Sequence, residues 1–317
     1  MKPAALARIA LLALLGIGPA LALAAPIGIV TIADGELGVV RAAQRFAASE
    51  GLRLHDDDIV RTGTDTRLAR IELGDGTALD LGPATELLLQ PGAGGRLGER
   101  AVTLYLARGW LKVSTGPGGA AGLASPLVDL LQVDGSAVLR VTADAALVFV
   151  ESGKVRVAEA GRDSTFALAG GDAFVRRAQE AGAVGKRPPA GLLQGLPRGF
   201  ADTLPRRAAR WLGAPAEPGS AQPVAYAEVA AWIDGEPALR SLAVQRFAAR
   251  AADRAFRAAL VANLRSHPEW DRTLFPEKYR PRPAVLVQRA ETQAVSLQGV
   301  MAWPAAPAAD STMETTR

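Results

Sequence analysis

The 317-residue chain contains no cysteine, only two histidines and few aromatic side chains. The lack of cysteine excludes disulfide scaffolds, zinc sites with cysteine ligands and thiol nucleophiles. His55 and His267 lie outside the spacings that zinc-binding and nucleophile motifs need. The residues therefore indicate no catalytic group and no site for a cofactor or metal, and we expect that the protein is not an enzyme.

Long apolar runs are also lacking, except at the N-terminus. Lys2 and Arg8 flank the start of an apolar stretch over residues 9–21, and Ala22-Leu23-Ala24 then presents small residues where a signal peptidase cuts. We expect a signal peptide over residues 1–24, export to the periplasm and no membrane span after cleavage. The alternative is an uncleaved anchor, but residues 9–25 fall short of the ~20 apolar residues that a spanning helix needs.

Positive charge is in modest excess, with a formal net charge of +4 and a pI near 9.7. Residues 26–186 contain 17 basic and 20 acidic side chains, whereas residues 187–289 contain 16 and 9. The excess is thus confined to the C-terminal half and is nearly all arginine. We expect no nucleic-acid partner from it.

Short runs of alternating apolar and polar residues fill residues 27–177, as in LARIEL at 68–73 and ALDL at 78–81. This alternation predicts strands with one dry face and one solvated face. Because glycine and aspartate separate the runs, we expect a mainly β domain, built as a solenoid-like β roll of short strands, with a two-sheet β-sandwich as the alternative. The residues expected to form its structural turns are Asp58, Gly63, Asp75, Gly76, Gly135 and Gly153.

The pattern changes after residue 177. Glycine and proline predict a linker over residues 178–198, and helical periodicity then predicts a small α-helical segment over residues 199–289. Within this segment, we expect helices at 199–212, 225–233 and 239–265. Residues 290–317 have little to bury and are expected to be a disordered tail.

Three blocks of the β region carry turn and strand motifs in a definite order. They are LRLHDDDIVRTGTDTRLARIELGDGTALDLGPATELLL at 52–89, LARGWLKVS at 106–114, and VESGKVRVAEAG with ALAGGDAFVRR at 150–177. In this order they resemble the FecR domain, whose blocks combine a turn aspartate, Thr-Gly, Asp-Gly-Ser/Thr and Leu-Gly-Pro with Gly-x-Val-x-Val steps. The resemblance covers roughly half of the chain and implies a periplasmic all-β module.

The resemblance also has limits. Where the family usually carries Val-Arg-Gly-Thr, this chain has Val133-Asp134-Gly135-Ser136, so a partner surface that uses that arginine is not expected here. Signalling members carry an anti-sigma segment and a membrane helix before the domain, whereas this chain is expected to carry an export signal there. The resemblance is therefore to the stand-alone exported type, and it implies no enzymatic activity.

Four aspartates, at positions 56, 57, 58 and 65, raise the possibility of a metal site. Three consecutive aspartates cannot all point to one side of a chain, however. Asp58 is instead placed to accept backbone N–H groups in a turn. We expect a turn at this position and no metal.

The helical segment contains a row of arginines with spacings of four, four and three, which places them on one side of the predicted helix at 239–265. Guanidinium groups in a row suit an anionic array, while the alternative is a solvated face with ordinary ion pairs to Asp253. The tryptophans either stack on a glycan or fill the joint with the β domain. The candidate contact residues are Arg246, Arg250, Arg254, Arg257, Trp232 and Trp270.

These features favour a non-enzymatic periplasmic module for protein–protein interaction, acting as a sensor or scaffold. Its strand edges and turn loops are the surfaces expected to contact an envelope protein. The alternative function is binding of an anionic envelope polymer, such as peptidoglycan or another glycan, through the arginines and tryptophans. An envelope hydrolase is a third and weaker hypothesis.

Overall fold

The computed structural model describes residues 25–280, apart from 90–95, 98–99, 102 and 117–120. The predicted signal peptide and the predicted tail at 290–317 lie outside the described residues. The strands are β1 (Gly28–Asp34), β2 (Leu37–Arg41), β3 (Gln44–Ala47), β4 (Arg53–Leu54), β5 (Ile59–Thr62), β6 (Leu68–Leu73), β7 (Ala78–Leu81), β8 (Glu86–Leu89), β9 (Arg96–Leu97), β10 (Arg100–Ala101), β11 (Leu104–Ser114), β12 (Ala121–Ala124), β13 (Val128–Val141), β14 (Ala145–Glu159), β15 (Thr165–Ala169), β16 (Ala173–Arg177), β17 (Ala183–Gly185) and β18 (Gln222–Pro223).

Sixteen of these strands form one hydrogen-bonded sheet, and β9 and β10 form a separate pair. The longest path through the sheet runs β17-β16-β14-β13-β12-β11-β8-β5-β2-β3-β18. Among the described strand pairs, β11 with β12 is parallel and the others are antiparallel. The prediction of a mainly β chain followed by a small helical segment is confirmed. Apart from β11 with β12, the described strands are joined by antiparallel ladders and do not stack as parallel coils.

The sheet folds over because its three longest strands each change partners along their length. Residues 104–108 of β11 pair with β8, and residues 111–114 pair with β7. Strand β14 likewise pairs with β16 through its first half and with β15 through its second half. The sheet is thereby divided into two layers. We call the part that contains β2, β3, β5, β8, β12 and β15 layer A, and the part that contains β1, β6, β7, β16 and β17 layer B.

Two glycines mark the fold line in β13 and β14. Gly135 and Gly153 lie opposite each other in the antiparallel register, with φ angles of 118° and 79°. Both φ values lie in the region that favours glycine. The sequence pattern predicted turns that end short strands at these positions, but each strand continues through its glycine and bends there. Glycine supplies the same backbone freedom in a hairpin and in a bend.

One large apolar core lies between the layers. Layer A contributes residues such as Val39, Val60 and Leu87, and layer B contributes residues such as Ile71 and Leu79, all of them buried. These side chains occupy alternate positions along their strands, as the period of two requires. The remaining positions point to the outer faces of the two layers.

A helical segment covers the outer face of layer A. Its helices are α2 (Tyr226–Ile233), α3 (Pro237–Phe247), α4 (Arg254–Ala262) and α5 (Asp271–Leu274). Val229 and Phe247 from this segment pack with Ile59, Leu88 and Tyr105 from the sheet. No helix in the described part of the chain is long and apolar enough to cross a bilayer.

Residues 190–208, which we call the strap, cover the outer face of layer B. The strap begins with helix α1 (Ala190–Gly195) and packs Leu192 and Phe200 against Trp110 and Val138 of the sheet. The predicted linker at 178–198 thus contains a strand and a helix. Within the helix predicted at 199–212, the chain forms only 3-10 turns, at Arg198–Phe200 and Ala208–Trp211.

The strap also buries polar side chains that the alternation had predicted to be solvated. Arg70 forms a bidentate pair with Asp80, at 2.6 and 2.8 Å, and donates to the carbonyl of Leu204 at 2.9 Å. Glu72 accepts the backbone N–H groups of Arg207 and Ala208. Buried charges need such partners, and the strap backbone supplies them.

The bend at Gly153 provides a test of this architecture. A Cβ atom at position 153 would lie 1.9 Å from the carbonyl oxygen of Asp134. We predict that Gly153→Ala lowers the free energy of unfolding by more than about 3 kcal/mol, measured by urea denaturation of residues 25–317. Gly161→Ala is the control, since Gly161 has a similar φ of 72° but open space around it, and its expected loss is about 1 kcal/mol. Equal losses in the two variants would contradict a steric role for the bend.

Candidate interaction surface

The aspartates that the sequence brings close together are separated in the structure. Asp58 is buried, accepts the backbone N–H of His55 at 2.8 Å and forms a bidentate pair with Arg41 at 2.7 and 2.6 Å. Asp57 contacts a helix, and Asp65 lies in the exposed connection between β5 and β6. In the described part of the chain, no cluster of metal-ligating side chains is found.

Of the other predicted turn residues, Gly63, Asp75 and Gly76 lie at the connections between strands. Asp75 Oδ1 accepts the N–H of Thr77 at 2.8 Å, and Gly76 has a φ of 81°, which closes the hairpin between β6 and β7. The N–H of Gly63 donates to the carbonyl of Glu36, where the chain passes from layer A to layer B. These residues shape the backbone and form no common site.

The arginine row does not lie on one helix. Helices α3 and α4 are separated by a 3-10 turn at Ala248–Ala252, and Asp253 then caps α4 by accepting the N–H of Phe256. Arg246 donates to the Asp57 carbonyl at 2.6 Å, and Arg250 donates to the Val224 carbonyl at 3.0 Å. The Arg257 guanidinium donates to the Leu274 carbonyl. Arg246 and Arg250 thus attach the helical segment to residues that precede it, whereas Arg257 joins α4 to α5. Arg254 is exposed.

The candidate tryptophans lie in the interior. Trp232 is 2% exposed and packs edge-on against Tyr105 with ring centroids 6.0 Å apart, and Trp270 is 0% exposed. Both belong to the apolar cluster between the helical segment and layer A. The structure therefore does not bring the six candidate contact residues together on an accessible surface.

His267 and Asp234 form a pair of the kind that enzymes use to orient a base. The Nδ1 atom of His267 lies 2.6 Å from Asp234 Oδ1, and its Nε2 atom lies 3.0 Å from the Leu260 carbonyl oxygen. Both ring nitrogens therefore have a partner within the chain. Because His267 is also fully buried, no substrate can contact them. The pair joins the helices of the C-terminal segment.

One part of layer A has an uncovered outer face. It comprises the first half of β13, the second half of β14 and β15, and we call it the open face. Six of its exposed side chains lie in two cross-strand rows, Gln132–Arg156–Ala167 and Asp134–Lys154–Ala169. One apolar cluster attaches the helical segment to the sheet, and another attaches the strap. Neither cluster includes these residues.

The open face ends at a strand with an unpaired edge. Within the described residues of the large sheet, β15 pairs with β14 alone and has five residues. The other strands of that sheet that pair on one side only are β4, β17 and β18, and they have two or three residues. Glu159 donates its N–H to the Ser164 carbonyl, and Gly170 donates its N–H to the Gly153 carbonyl. Antiparallel pairs alternate between bonded and non-bonded positions. The N–H and C=O groups of Thr165 and Ala167 therefore point away from β14.

Glu159 fixes this end of the sheet. Its side chain is 3% exposed, accepts from the Ser164 hydroxyl and from the Gly182 N–H at 2.5 Å, and forms an ion pair with Arg176 at 3.2 Å. The hydrogen bond from Ser164 lowers the pKa of the Glu159 carboxyl below its ordinary value, assisted by Gly182 and Arg176. The carboxylate thus ties the turn before β15 to the segment after β16.

Comparisons with known proteins leave the family of the chain unassigned. No family model matches it, and no curated protein matches it. Two crystal structures, each of a candidate anti-sigma factor from Parabacteroides distasonis ATCC 8503, are similar to part of the chain. The one at 2.50 Å resolution has a TM-score of 0.35 and 16% identity over 43% of this chain and 64% of that chain. The one at 1.65 Å has a TM-score of 0.32 and 17% identity over 40% and 60%.

The chain thus matches less than two thirds of either crystallised protein. The resemblance of the three sequence blocks to the FecR domain stays a prediction. The open edge and its anchoring glutamate were not among the predicted site residues, because the partners of a strand depend on topology.

Glu159→Gln tests the anchoring of β15. We predict that it lowers the free energy of unfolding at pH 7 by about 1–3 kcal/mol, because a charged acceptor of several hydrogen bonds is lost. Since the folded-state pKa of Glu159 is lowered, its contribution is present above about pH 4.3 and is lost as the pH falls further. Urea unfolding at a series of pH values should show the native chain and the variant converging in acid.

The control for this experiment is Glu180→Gln, at an exposed carboxylate that pairs with Arg177. It is expected to change stability by less than about 0.5 kcal/mol at any pH. A gap between the native chain and Glu159→Gln that stays constant down to acid pH would rule out the charged role of Glu159.

Proposed function

We propose that the chain is a non-enzymatic periplasmic interaction module, and that a partner protein adds an extended segment to the free edge of β15. The observation that carries this proposal is the outward-pointing backbone of Thr165 and Ala167 on a strand paired on one side only. An unpaired edge of this kind accepts a strand from another chain. The resemblance to stand-alone FecR-domain proteins is consistent with such a role.

The side chains around the edge suit a close approach. Thr165, Ala167 and Ala169 are small and exposed, while Phe166 and Leu168 point inward to the core. An added strand would lie about 4.8 Å from β15. No large side chain on β15 blocks that position on the outer face.

The charge of the open face favours an acidic partner segment. Arg156 lies beside Ala167, and Lys154 lies beside Ala169, on the strand next to the edge. Both basic side chains are exposed, and the alanines leave them room to reach across β15. An extended segment with acidic residues at alternate positions would place its carboxylates near these groups.

Binding should depend on the backbone N–H of residue 167. We predict that Ala167→Pro weakens capture of the partner from an envelope extract of the source organism at least about tenfold, because proline removes that donor. Ala167→Ser is the matched control, since it keeps the N–H group, and it should bind like the native chain. Capture by tagged residues 25–317 is measured by quantitative mass spectrometry, with thermal unfolding as a check on folding.

A double variant separates strand addition from adhesion by charge. Lys154→Glu combined with Arg156→Glu should weaken capture of the partner and remove the dependence of capture on salt, while the edge of β15 stays free to pair. Partners that bind Ala167→Pro and Ala167→Ser equally well would refute strand addition at β15.

A further inference from the structure

A polar cavity of about 460 Å³ lies on the outer face of layer A, beside the start of α2. One cross-strand row crosses it, in which Gly38 on β2, Arg61 on β5, Glu86 on β8 and Arg108 on β11 are neighbours. Arg45 on β3 and Glu228 on α2 line the cavity from the side of the helical segment. The cavity lies at the edge of the area of layer A that the helical segment covers.

The charged side chains form a continuous chain of alternating sign. Arg108 and Arg61 both donate to Glu86 Oε1, at 2.7 and 3.2 Å. Arg61 then lies 3.8 Å from Glu228 Oε1, and Arg45 lies 3.3 Å from the same oxygen. The ion pairs hold the arginines in place before any ligand arrives.

N–H donors exceed acceptors in this cavity, even with the exposed carboxylate of Glu36, which also lines it. Each guanidinium has five N–H donors, whereas Glu86 Oε1 and Glu228 Oε1 each already receive two arginines. Glu228 Oε2 accepts the N–H of Ala225 at 2.8 Å. The side chains of Arg45 and Arg108 are 49% and 54% exposed. Their remaining N–H groups are therefore accessible to a ligand, and guanidinium groups match carboxylates in geometry.

One acceptor in the cavity wall lacks a donor. Glu86 is 3% exposed, and its Oε2 atom has no hydrogen-bond partner among the described residues. A buried acceptor of this kind favours a group that can donate to it. A ligand that satisfies the site thus combines an acidic group for the arginines with a hydroxyl or amino group for Glu86.

We propose that this cavity binds a small hydroxylated carboxylate, such as an acidic sugar unit. The arginines bind the carboxylate, and Gly38 leaves the floor open. Because Glu86 Oε2 is fully buried, the Glu86 carboxylate turns toward the cavity to accept from a ligand hydroxyl. The site is separate from β15 in the sheet order. It would give the interaction module a ligand to sense, and it does not depend on strand addition being correct.

Isothermal titration calorimetry with three probes tests the ligand class. Glucuronate carries a carboxylate and hydroxyls, glucose carries hydroxyls alone, and acetate carries a carboxylate alone. Residues 25–317 should bind glucuronate with a Kd of about 1 mM or tighter, and at least tenfold more tightly than either single-function probe. Absence of saturable glucuronate binding, or equal binding of glucose, would overturn the proposal.

Variants locate the binding. Arg45→Ala with Arg108→Ala should weaken glucuronate binding at least tenfold, since both side chains are substantially exposed and their loss leaves the core intact. Gly38→Val should abolish glucuronate binding because the valine side chain fills the floor of the cavity. The added Cβ contacts only the Phe46 carbonyl oxygen, at an ordinary distance of 3.6 Å. Arg67→Ala is the control, because Arg67 is 80% exposed and pairs with Asp34 outside this cavity. Unchanged binding in all the cavity variants would also overturn the proposal.

Discussion

The contact between Gly135 and Gly153 is the constraint on which the folded sheet depends. These residues face each other in the register of β13 and β14, and both have left-handed φ values. The Cβ of a residue at 135 would lie 2.4 Å from the Ser152 carbonyl oxygen, so neither position can carry a side chain without a shift of the neighbouring strand. Because the two strands bend together, one sheet can enclose one core. Two separate sheets would need more edges and more connections.

A folded sheet has two outer faces, and the polar side chains on these faces also need partners or solvent. In layer B, the outward positions carry charges, among them Arg70, Glu72 and Lys112, which are buried under the strap. Lys112 donates to the Phe200 carbonyl at 2.6 Å and pairs with Glu151 at 2.8 Å. Buried charges without such partners would destabilise the fold. The strap is therefore part of the folded unit, although its glycines and prolines are typical of a linker.

The sequence predicted the local elements better than their partners. The alternation in LARIEL and ALDL predicts strands because it reflects the period of the backbone itself. The burial of Arg70 could not be predicted, since it depends on the distant Leu204. The break between α3 and α4 was missed because alanine favours helix at Ala248–Ala252. Asp253, predicted to be an ion-pair partner, lies 3.8 Å from Arg250 and also caps α4.

The candidate sites were harder to predict for the same reason. Gly38, Arg61, Glu86 and Arg108 are far apart in sequence, and only the register of four strands makes them one row. The free edge of β15 likewise has no local signal, since TFALA resembles any strand with small outward residues. Residues chosen for their type, such as Arg246, Arg250 and Arg257, instead proved to have partners within the chain. Residue type alone does not distinguish an arginine that binds a ligand from one that binds a carbonyl of its own chain.

The C-terminal half of the chain thus determines which parts of the β domain can contact other molecules. Its helices cover the middle of layer A, and α2 begins beside the arginine-lined cavity, where Glu228 forms part of the wall. They do not extend to the rows around Arg156 and Lys154. The cavity and the edge of β15 are both places where polar groups of the sheet lack a complete set of partners from the chain. Polar groups left in this state gain most from a partner outside the chain, which is the physical reason for assigning binding to them and packing to the arginines and tryptophans of the helices.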